Sequence, residues 1–197
     1  MRDGAAGFTL IELMVGITIA AILLALGAPA MSNYLQRAKL GAVTQSLQSS
    51  LQGARTEAIR RNQRVDFITI NVAPSSAVAN SPTPAGAGQN WLVRAPDPAS
   101  SGNFTLLDAR AAGEGNGSPG APSIVLQPDG AFTGMISFDG FGRTVGSVGH
   151  QINVVHTASG CAASSPVACQ AVYVSPGGKV ATCSPTVVAG DSRACSL

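Results

Sequence analysis

Residues 7–31 read GFTLIELMVGITIAAILLALGAPAM, a long apolar stretch near the N-terminus. Its last nineteen residues, Leu13–Met31, carry no charge. A single helix of that length can span the hydrocarbon core of a bilayer. Glu12 is the one carboxylate in the stretch, and a carboxylate at membrane depth costs on the order of 2.5–3.5 kcal/mol. We therefore predict a functional partner for Glu12, either an amine or a helix terminus.

Two simpler interpretations of this stretch fit less well. A secretory signal peptide would use Arg2 as its basic region and Ala28-Pro29-Ala30 as its cleavage site. However, Glu12 interrupts the apolar core of such a signal, and a helical pattern continues beyond the cleavage site. An unprocessed membrane anchor would leave both Gly7 and Glu12 without a role.

Length and composition limit the classes of protein to which this chain can belong. The chain has 197 residues, which fits one compact domain with an appendage. Only 11% of the residues are charged, less than half of the roughly 25% usual for a soluble domain, and this favours a membrane-bound, packed or exported protein. The net charge of +2 excludes a globally basic nucleic-acid binder.

The segment GFTLIEL over residues 7–13 resembles the processing site of type IV prepilins and type II secretion pseudopilins. The resemblance implies a leader at residues 1–7, cleavage between Gly7 and Phe8 by prepilin peptidase, and N-methylation of Phe8. It also implies that Glu12 serves subunit assembly by pairing with the terminal amine of a neighbouring subunit. A carboxylate in the first helical turn also complements the helix dipole.

A helical pattern continues beyond the apolar stretch. Its apolar positions are spaced by three and four residues, at Leu40, Val43, Leu47, Leu51, Ala54 and Ala58. We therefore predict one helix over 8–62, comprising a transmembrane or filament-core part at 8–31 and an amphipathic part within 32–64. Gly27 and Pro29 predict a kink or a melted turn.

Residues 54–63 read ARTEAIRRNQ and resemble the end of the first helix in the minor pilin and pseudopilin subfamily that includes FimT, FimU and GspH. The clustered basic residues Arg55, Arg60, Arg61 and Arg64 could form a phosphate-binding patch. A structural role at the helix end is the preferred interpretation, because basic side chains stabilise a helix C-terminus.

Residues 65–197 have the pattern of a β-rich domain packed on the distal helix, which gives an α+β fold. The predicted strands are Val65–Val72, Asn90–Arg94, Phe104–Leu107, Ser123–Leu126, Met135–Phe138, Gln151–His156, Ala171–Ser175 and Lys179–Cys183. Val65–Val72 alternates like a half-buried strand, and Ala73–Gln89 and Gly113–Gly120 are predicted loops. Asp129 and Asp139 precede glycines and are expected to make turns. The segment SFDGFGR over residues 137–143 resembles a loop of the same subfamily.

Four cysteines lie late in the chain, at Cys161, Cys169, Cys183 and Cys195. Their spacing contains no CxxC pair, so we predict disulfides in the C-terminal region rather than a metal site. Three pairings are open. Proximity in sequence favours Cys161 with Cys169 and Cys183 with Cys195.

Catalytic motifs are absent from the sequence, so we expect neither an enzyme nor a cofactor. His150 and His156 are expected to be surface or turn residues rather than ligands. The subfamily includes FimT, which is implicated in DNA uptake through a basic motif near its C-terminus. Here Lys179 takes the place of one cation of that motif, the second is missing, and Arg193 lies nearby. Five basic against seven acidic residues follow residue 65. Weak DNA binding at most is therefore expected.

The resemblance implies a minor type IV pilin that aids filament assembly, priming or tip function. Its partners would be other major and minor pilins, prepilin peptidase, the inner-membrane assembly platform and, before extraction, membrane lipid. The protein would cross the inner membrane once, with its globular domain in the periplasm, before entering an extracellular pilus. The alternatives are a type II secretion pseudopilin of the H type, which would enter a periplasmic pseudopilus, and a DNA-binding minor pilin of natural transformation.

Overall fold

A computed structural model describes residues 9–111, 117–118, 121–122, 124–130, 132–162, 164–188 and 190–195. The chain divides into two compact units, the first ending at Gln36 and the second beginning at Arg37. Each unit is described by itself.

Helix α1 covers Leu10–Arg61, close to the predicted range. The backbone is helical at Gly27 and Pro29, so the expected melted turn does not form there. In the first unit the described apolar side chains are exposed, such as Leu24 at 75%. Among the residues that the structure describes, no helical segment is both long and apolar enough to cross a membrane.

In the second unit one face of α1 is buried. Its buried apolar side chains are Leu40, Leu47, Leu51, Ala54 and Ala58. Val43 is partly buried and packs against the same cluster. The predicted amphipathic pattern is therefore confirmed, because these positions recur every three or four residues along one side of a helix.

Antiparallel strands form the rest of the second unit. Within the described residues the strands are β1 (Val65–Ile70), β2 (Asn90–Pro96), β3 (Phe104–Ala111), β4 (Gly117–Ser118), β5 (Ala121–Pro122), β6 (Ile124–Asp129), β7 (Met135–Phe138), β8 (His150–His156), β9 (Gln170–Val174) and β10 (Val180–Cys183). One sheet has the order β3-β2-β1-β7, a second has the order β10-β9-β8-β6, and β4 pairs with β5. The predicted α+β class is confirmed.

The main core lies between α1 and both four-stranded sheets. It includes Leu47 from the helix, Phe67 and Trp91 from the first sheet, and Ile152 and Val172 from the second. A smaller cluster on the other face of the first sheet contains Ile68, Ile70 and Leu92.

Strand β1 differs from its prediction because all six of its residues are buried. Its neighbours in the sheet are β2 and β7, and apolar clusters cover both of its faces. A half-buried strand is therefore the wrong description, because this sheet has no solvent-exposed face at β1.

Two predicted loops contain regular structure. The segment Ala73–Gln89 includes a short helix α2 (Ser76–Asn80), whose first turn is capped by the Ser75 hydroxyl. The segment Gly113–Gly120 includes β4. Both elements are very short, which explains why a periodic pattern could not indicate them.

His150 and His156 are also placed differently from the prediction. They are 7% and 6% exposed, at the two ends of β8. Strand β8 lies inside its sheet, between β6 and β9, so even its terminal residues are covered.

Two disulfides join Cys161 to Cys169 and Cys183 to Cys195. This is the pairing that sequence proximity favoured. The second bridge fixes the C-terminal segment beside β10, where Ser184 N donates to Arg193 O at 2.7 Å.

Candidate subunit-assembly site

Thr9 and Glu12 form a reciprocal capping arrangement at the start of α1. Glu12 N donates to the Thr9 hydroxyl at 3.3 Å, and the Glu12 carboxylate accepts from Thr9 Oγ1 at 3.1 Å and from Thr9 N at 3.4 Å. This is a capping box, in which two otherwise unpaired helix-terminal amides are satisfied. Gly7 and Phe8, the predicted cleavage and methylation residues, lie outside the described residues.

The first turns of α1, on both sides of Glu12, expose apolar side chains on every face. More than half of the residue surface is accessible at Leu10, Ile11, Leu13, Met14, Val15, Ile17, Ile19, Ile22, Leu23 and Leu24. A helix that is apolar all round is stable when it is buried in lipid or among other helices. The first unit therefore presents a surface for burial, with one carboxylate near its start.

The distal end of α1 is closed by a Schellman motif. Asn62 has a positive φ of 50°. Its N–H donates to Ile59 O, and Gln63 N donates to Ala58 O, both at 3.2 Å. Asparagine tolerates the left-handed conformation better than most residues, which explains its place in the segment ARTEAIRRNQ.

Three of the four basic residues in the cluster at this helix end, Arg60, Arg61 and Arg64, pair with carboxylates. The Glu57 carboxylate binds Arg60 at 2.7 Å and Arg61 at 2.9 Å. Hydrogen bonds from Arg60, which has the larger effect, and from Arg61 lower the pKa of the Glu57 carboxyl to about 2. The Glu57 carboxylate in turn raises the pKa of Arg60. Arg64 is engaged elsewhere, with Asp66 at 2.7 Å.

Asp66 is a buried charge that the sequence analysis did not single out. It is 3% exposed, on β1. Its carboxylate accepts from Arg64 and Ser137 at 2.7 Å and from Arg94 at 3.3 Å. The guanidinium of Arg94 also stacks on Phe104, 3.7 Å from the ring centroid. In the sequence, the one indication of this site was an acidic residue inside an otherwise uncharged strand. A carboxylate that is buried in such a strand requires polar partners.

The loop Asp139–Arg143 packs on the end of α1 through its glycines. A Cβ at Gly140 would press on Asn62, and a Cβ at Gly142 would press on Ile59 and Arg55. Gly142 also has a φ of +76°, and its carbonyl accepts from Arg55 Nε at 3.0 Å. The glycines of the segment SFDGFGR therefore allow the loop to approach the helix closely.

Asp139 makes the turn that the sequence predicts. Its carboxylate accepts from the backbone N–H groups of Phe141 and Arg143, both at 2.9 Å. Asp129 lies at the end of β6, where its carboxylate accepts from Gln151 at 2.8 Å.

Lys179 and Arg193, the candidate DNA-binding residues, lie at opposite ends of β10. Lys179 precedes Val180 in an exposed turn, and Arg193 binds the backbone of Ser184 after the strand. Arg193 also pairs with Asp191 at 2.8 Å, and this contact lowers the pKa of Asp191 to about 2. The strand separates the two cations by roughly 13 Å of chain. Their role in DNA binding stays a prediction.

Comparison with known families shows where the chain belongs. The sequence profile described as Type II transport protein GspH matches residues 43–160, and the profile of the prokaryotic N-terminal methylation motif matches residues 2–28. The chain belongs to the GspH family. It is thus a type IV minor pilin or pseudopilin of the FimT, FimU and GspH kind. No curated protein gives a significant match.

The fold of this GspH-family chain is similar to the type IV minor pilin FimU of Pseudomonas aeruginosa strain PAO1. One crystal form of FimU has a TM-score of 0.50 at 12% identity, covering 83% of this chain and 99% of that chain. A second form has a TM-score of 0.47 at 12% identity, covering 72% and 90%. At this identity the first match shows the pilin fold alone.

The family and the fold are those of pilins, which are structural proteins. Within the described residues, no three His, Cys, Asp or Glu side chains are grouped as metal ligands would be. The groups offered for contact are an apolar helix surface, a capped carboxylate and the exposed loops of the second unit.

Proposed function

We propose that this chain is a minor type IV pilin that crosses the inner membrane once and enters a filament through its N-terminal helix. Prepilin peptidase would cut between Gly7 and Phe8 and methylate Phe8. The second unit would lie in the periplasm and later on the outside of the pilus. The protein would act in assembly, in priming or at the tip, without catalysing a reaction.

The observation that carries this proposal is the apolar first unit with Glu12 near its start. Ten apolar side chains within Leu10–Leu24 are exposed in the single chain. Lateral packing against other pilin helices would bury them, and lipid would cover them before extraction by the assembly platform. Glu12 could then exchange its Thr9 partners for the terminal amine of an adjacent subunit, which would satisfy both charges in an apolar setting.

A type II secretion pseudopilin of the H type is the second candidate. The profile that matches residues 43–160 is described as a type II transport protein, and this favours a pseudopilus as the filament. Deleting the pilus assembly system or the type II secretion system, one at a time, would distinguish the two. The processed chain should fail to leave the inner membrane only when its own assembly system is missing.

The decisive variants change Glu12. We expect Glu12→Val to be inserted and processed normally but to be lost from sheared filaments. Glu12→Gln keeps the capping geometry without the charge, so it should also fail if the ion pair between subunits matters. Ile11→Val is the matched control and should assemble normally. Normal amounts of Glu12→Gln in filaments would contradict the assembly role of the charge.

The intact mass of the membrane-extracted protein tests the processing pathway. With prepilin peptidase present, the expected species begins at Phe8 and carries one added methyl group. Without the peptidase, residues 1–7 should be retained. A chain that begins near Met31 would instead indicate a secretory signal peptide, and the proposed function would fail.

A further inference from the structure

The loop that packs on the end of α1 holds an exposed aromatic ring at its tip. Phe141 is 76% exposed, although both neighbouring glycines are packed against the helix. Its backbone N–H is bound by the Asp139 carboxylate at 2.9 Å, and Gly142 N donates to Asp139 O at the same distance. Because the backbone is fixed, little conformational freedom would be lost if Phe141 were bound by a partner.

Three cations without a carboxylate partner among the described residues lie on or near the loop that carries this ring. The Arg143 guanidinium lies 5.6 Å from the Phe141 centroid. Lys179 follows Gly178, and a Cβ at Gly178 would overlap the carbonyl oxygen of Gly142, so the two backbones are in contact. Arg55 binds the same carbonyl at 3.0 Å.

Most of the described arginines are paired with a carboxylate, unlike the cations near Phe141. Among the described residues, six arginines have a carboxylate within 4.0 Å: Arg60, Arg61, Arg64, Arg94, Arg110 and Arg193. Arg37, Lys39, Arg55, Arg143 and Lys179 have none, and three of these, Arg55, Arg143 and Lys179, lie on or next to residues that contact the Gly142 backbone. The nearby carboxylates are already engaged, Glu57 with two arginines and Asp139 with two backbone amides. Among the described residues, these cations therefore have no carboxylate as an ion-pair partner.

We propose that the Phe141 surface, defined by Ile59, Phe141, Arg143 and Lys179, binds an acidic segment of another filament subunit. An apolar side chain of that segment would pack on Phe141 and on Ile59, which is 49% exposed. Its carboxylates would pair with Arg143 and Lys179. The inference rests on the proposed function, because it assumes that the chain meets other subunits in a filament.

A protein segment fits this surface better than a nucleic acid. A single-stranded nucleic acid needs a series of aromatic platforms along a track of cations. Within the described residues of the second unit, Phe141 is the one large aromatic side chain among the exposed apolar residues. One rigid aromatic anchor with arginine beside it is typical of the centre of a protein interface.

Photo-crosslinking in cells that assemble the native filament tests this proposal with the full chain. A photoreactive phenylalanine analogue would replace Phe141, and the control would place it at Val188, which is 83% exposed. We expect cross-links from position 141 to an acidic peptide of another subunit that carries the N-terminal methylation motif. Position 188 should not give this product.

Charge variants establish whether the cations matter. Combining Arg143→Glu with Lys179→Glu should lower the yield from position 141 by about tenfold or more, as expected for loss of a central anchor. Arg143→Lys keeps the charge and should retain most of the yield. Replacing the cross-linked carboxylates of the partner with lysine should restore the product in the reversed variant.

Three outcomes would overturn the proposal. They are cross-links to DNA, equal cross-linking yields from positions 141 and 188, and a yield from position 141 that does not change when the charges are reversed. Processing at Gly7 and incorporation into filaments are measured in the same cells. If both are normal and the cross-link is absent, this surface is wrong while the proposed function stands. If processing does not occur, the proposed function itself fails and this inference fails with it.

Discussion

Gly142 and Gly178 show how single residues fix the packing of this domain. Gly178 has a φ of +79° and lies in the turn between β9 and β10, where its backbone contacts the carbonyl of Gly142. The Gly142 carbonyl also binds Arg55 of α1. Two missing side chains therefore allow the helix, the loop after β7 and the β9–β10 turn to meet at one point.

We expect Gly178→Ala to destabilise the second unit by about 2–3 kcal/mol, from the left-handed backbone together with the steric overlap. The control is Gly177→Ala, because a Cβ there would meet only the Ser175 hydroxyl at 3.9 Å, at a φ outside the left-handed region. Urea denaturation of both variants measures the difference. Equal stabilities would show that the contact between the two glycines does not limit packing.

The Glu57 ion pairs stabilise one element of the fold, the C-terminal turn of α1. Glu57 lies one turn before Arg60 and Arg61, a spacing that the sequence shows directly. The Schellman motif after them positions Asn62 under Gly140. The end of the helix is thus fixed both by local ion pairs and by contact with a distant loop.

The pH dependence of stability should report on this turn. The folded pKa of Glu57, about 2, lies below its ordinary value of 4.5. The stabilisation is therefore complete above pH 4.5 and is lost as the pH falls from 4.5 towards 2. Because Glu57 lies near the surface, we expect less than about 1 kcal/mol.

Thermal unfolding of the native chain and of Glu57→Gln from pH 7 to pH 2 measures this contribution. The difference in Tm between the two proteins should shrink below pH 4.5. A difference that stays constant over the whole range would rule out the carboxylate as its cause.

At the scale of the whole molecule, the two units differ in what they bury. All buried apolar side chains of the described residues lie at Leu40 or later in the chain. Both disulfides also lie in the second unit. Folding of the second unit therefore depends on its own core, whereas the first unit leaves its apolar surface for other molecules.

We expect a chain that begins at Arg37 to fold with a Tm within about 2 °C of the full-length protein in detergent, because the deleted residues contribute nothing to the described core. Circular dichroism at increasing temperature measures both proteins. A fall in Tm of about 10 °C or more would show that the second unit needs the N-terminal helix for its stability.

The strands and the helix face were predictable because their patterns are local. The segment Met135–Phe138 was predicted with its observed bounds, and the buried positions of α1 follow a period of three or four residues. Burial of β1 on both faces was not predictable, because the side chains that cover its second face come from other elements, such as Val78 of α2 and Met135 of β7. The partners of Asp66 were hidden for the same reason, since Ser137 lies 71 residues away.

From the sequence alone, the family resemblance and the N-terminal helix with its one carboxylate were predictable, and proximity favoured the pairing of neighbouring cysteines among three open pairings. Each of these depends on residues close together in the chain. The tertiary structure was needed to show that Arg60 and Arg61 pair with Glu57, whereas Arg143 and Lys179 have no carboxylate within 4.0 Å among the described residues, and that Arg143 lies beside the exposed Phe141. Ion pairing and exposure depend on distances in space, and the folding of β7, β9 and β10 around the end of α1 sets those distances.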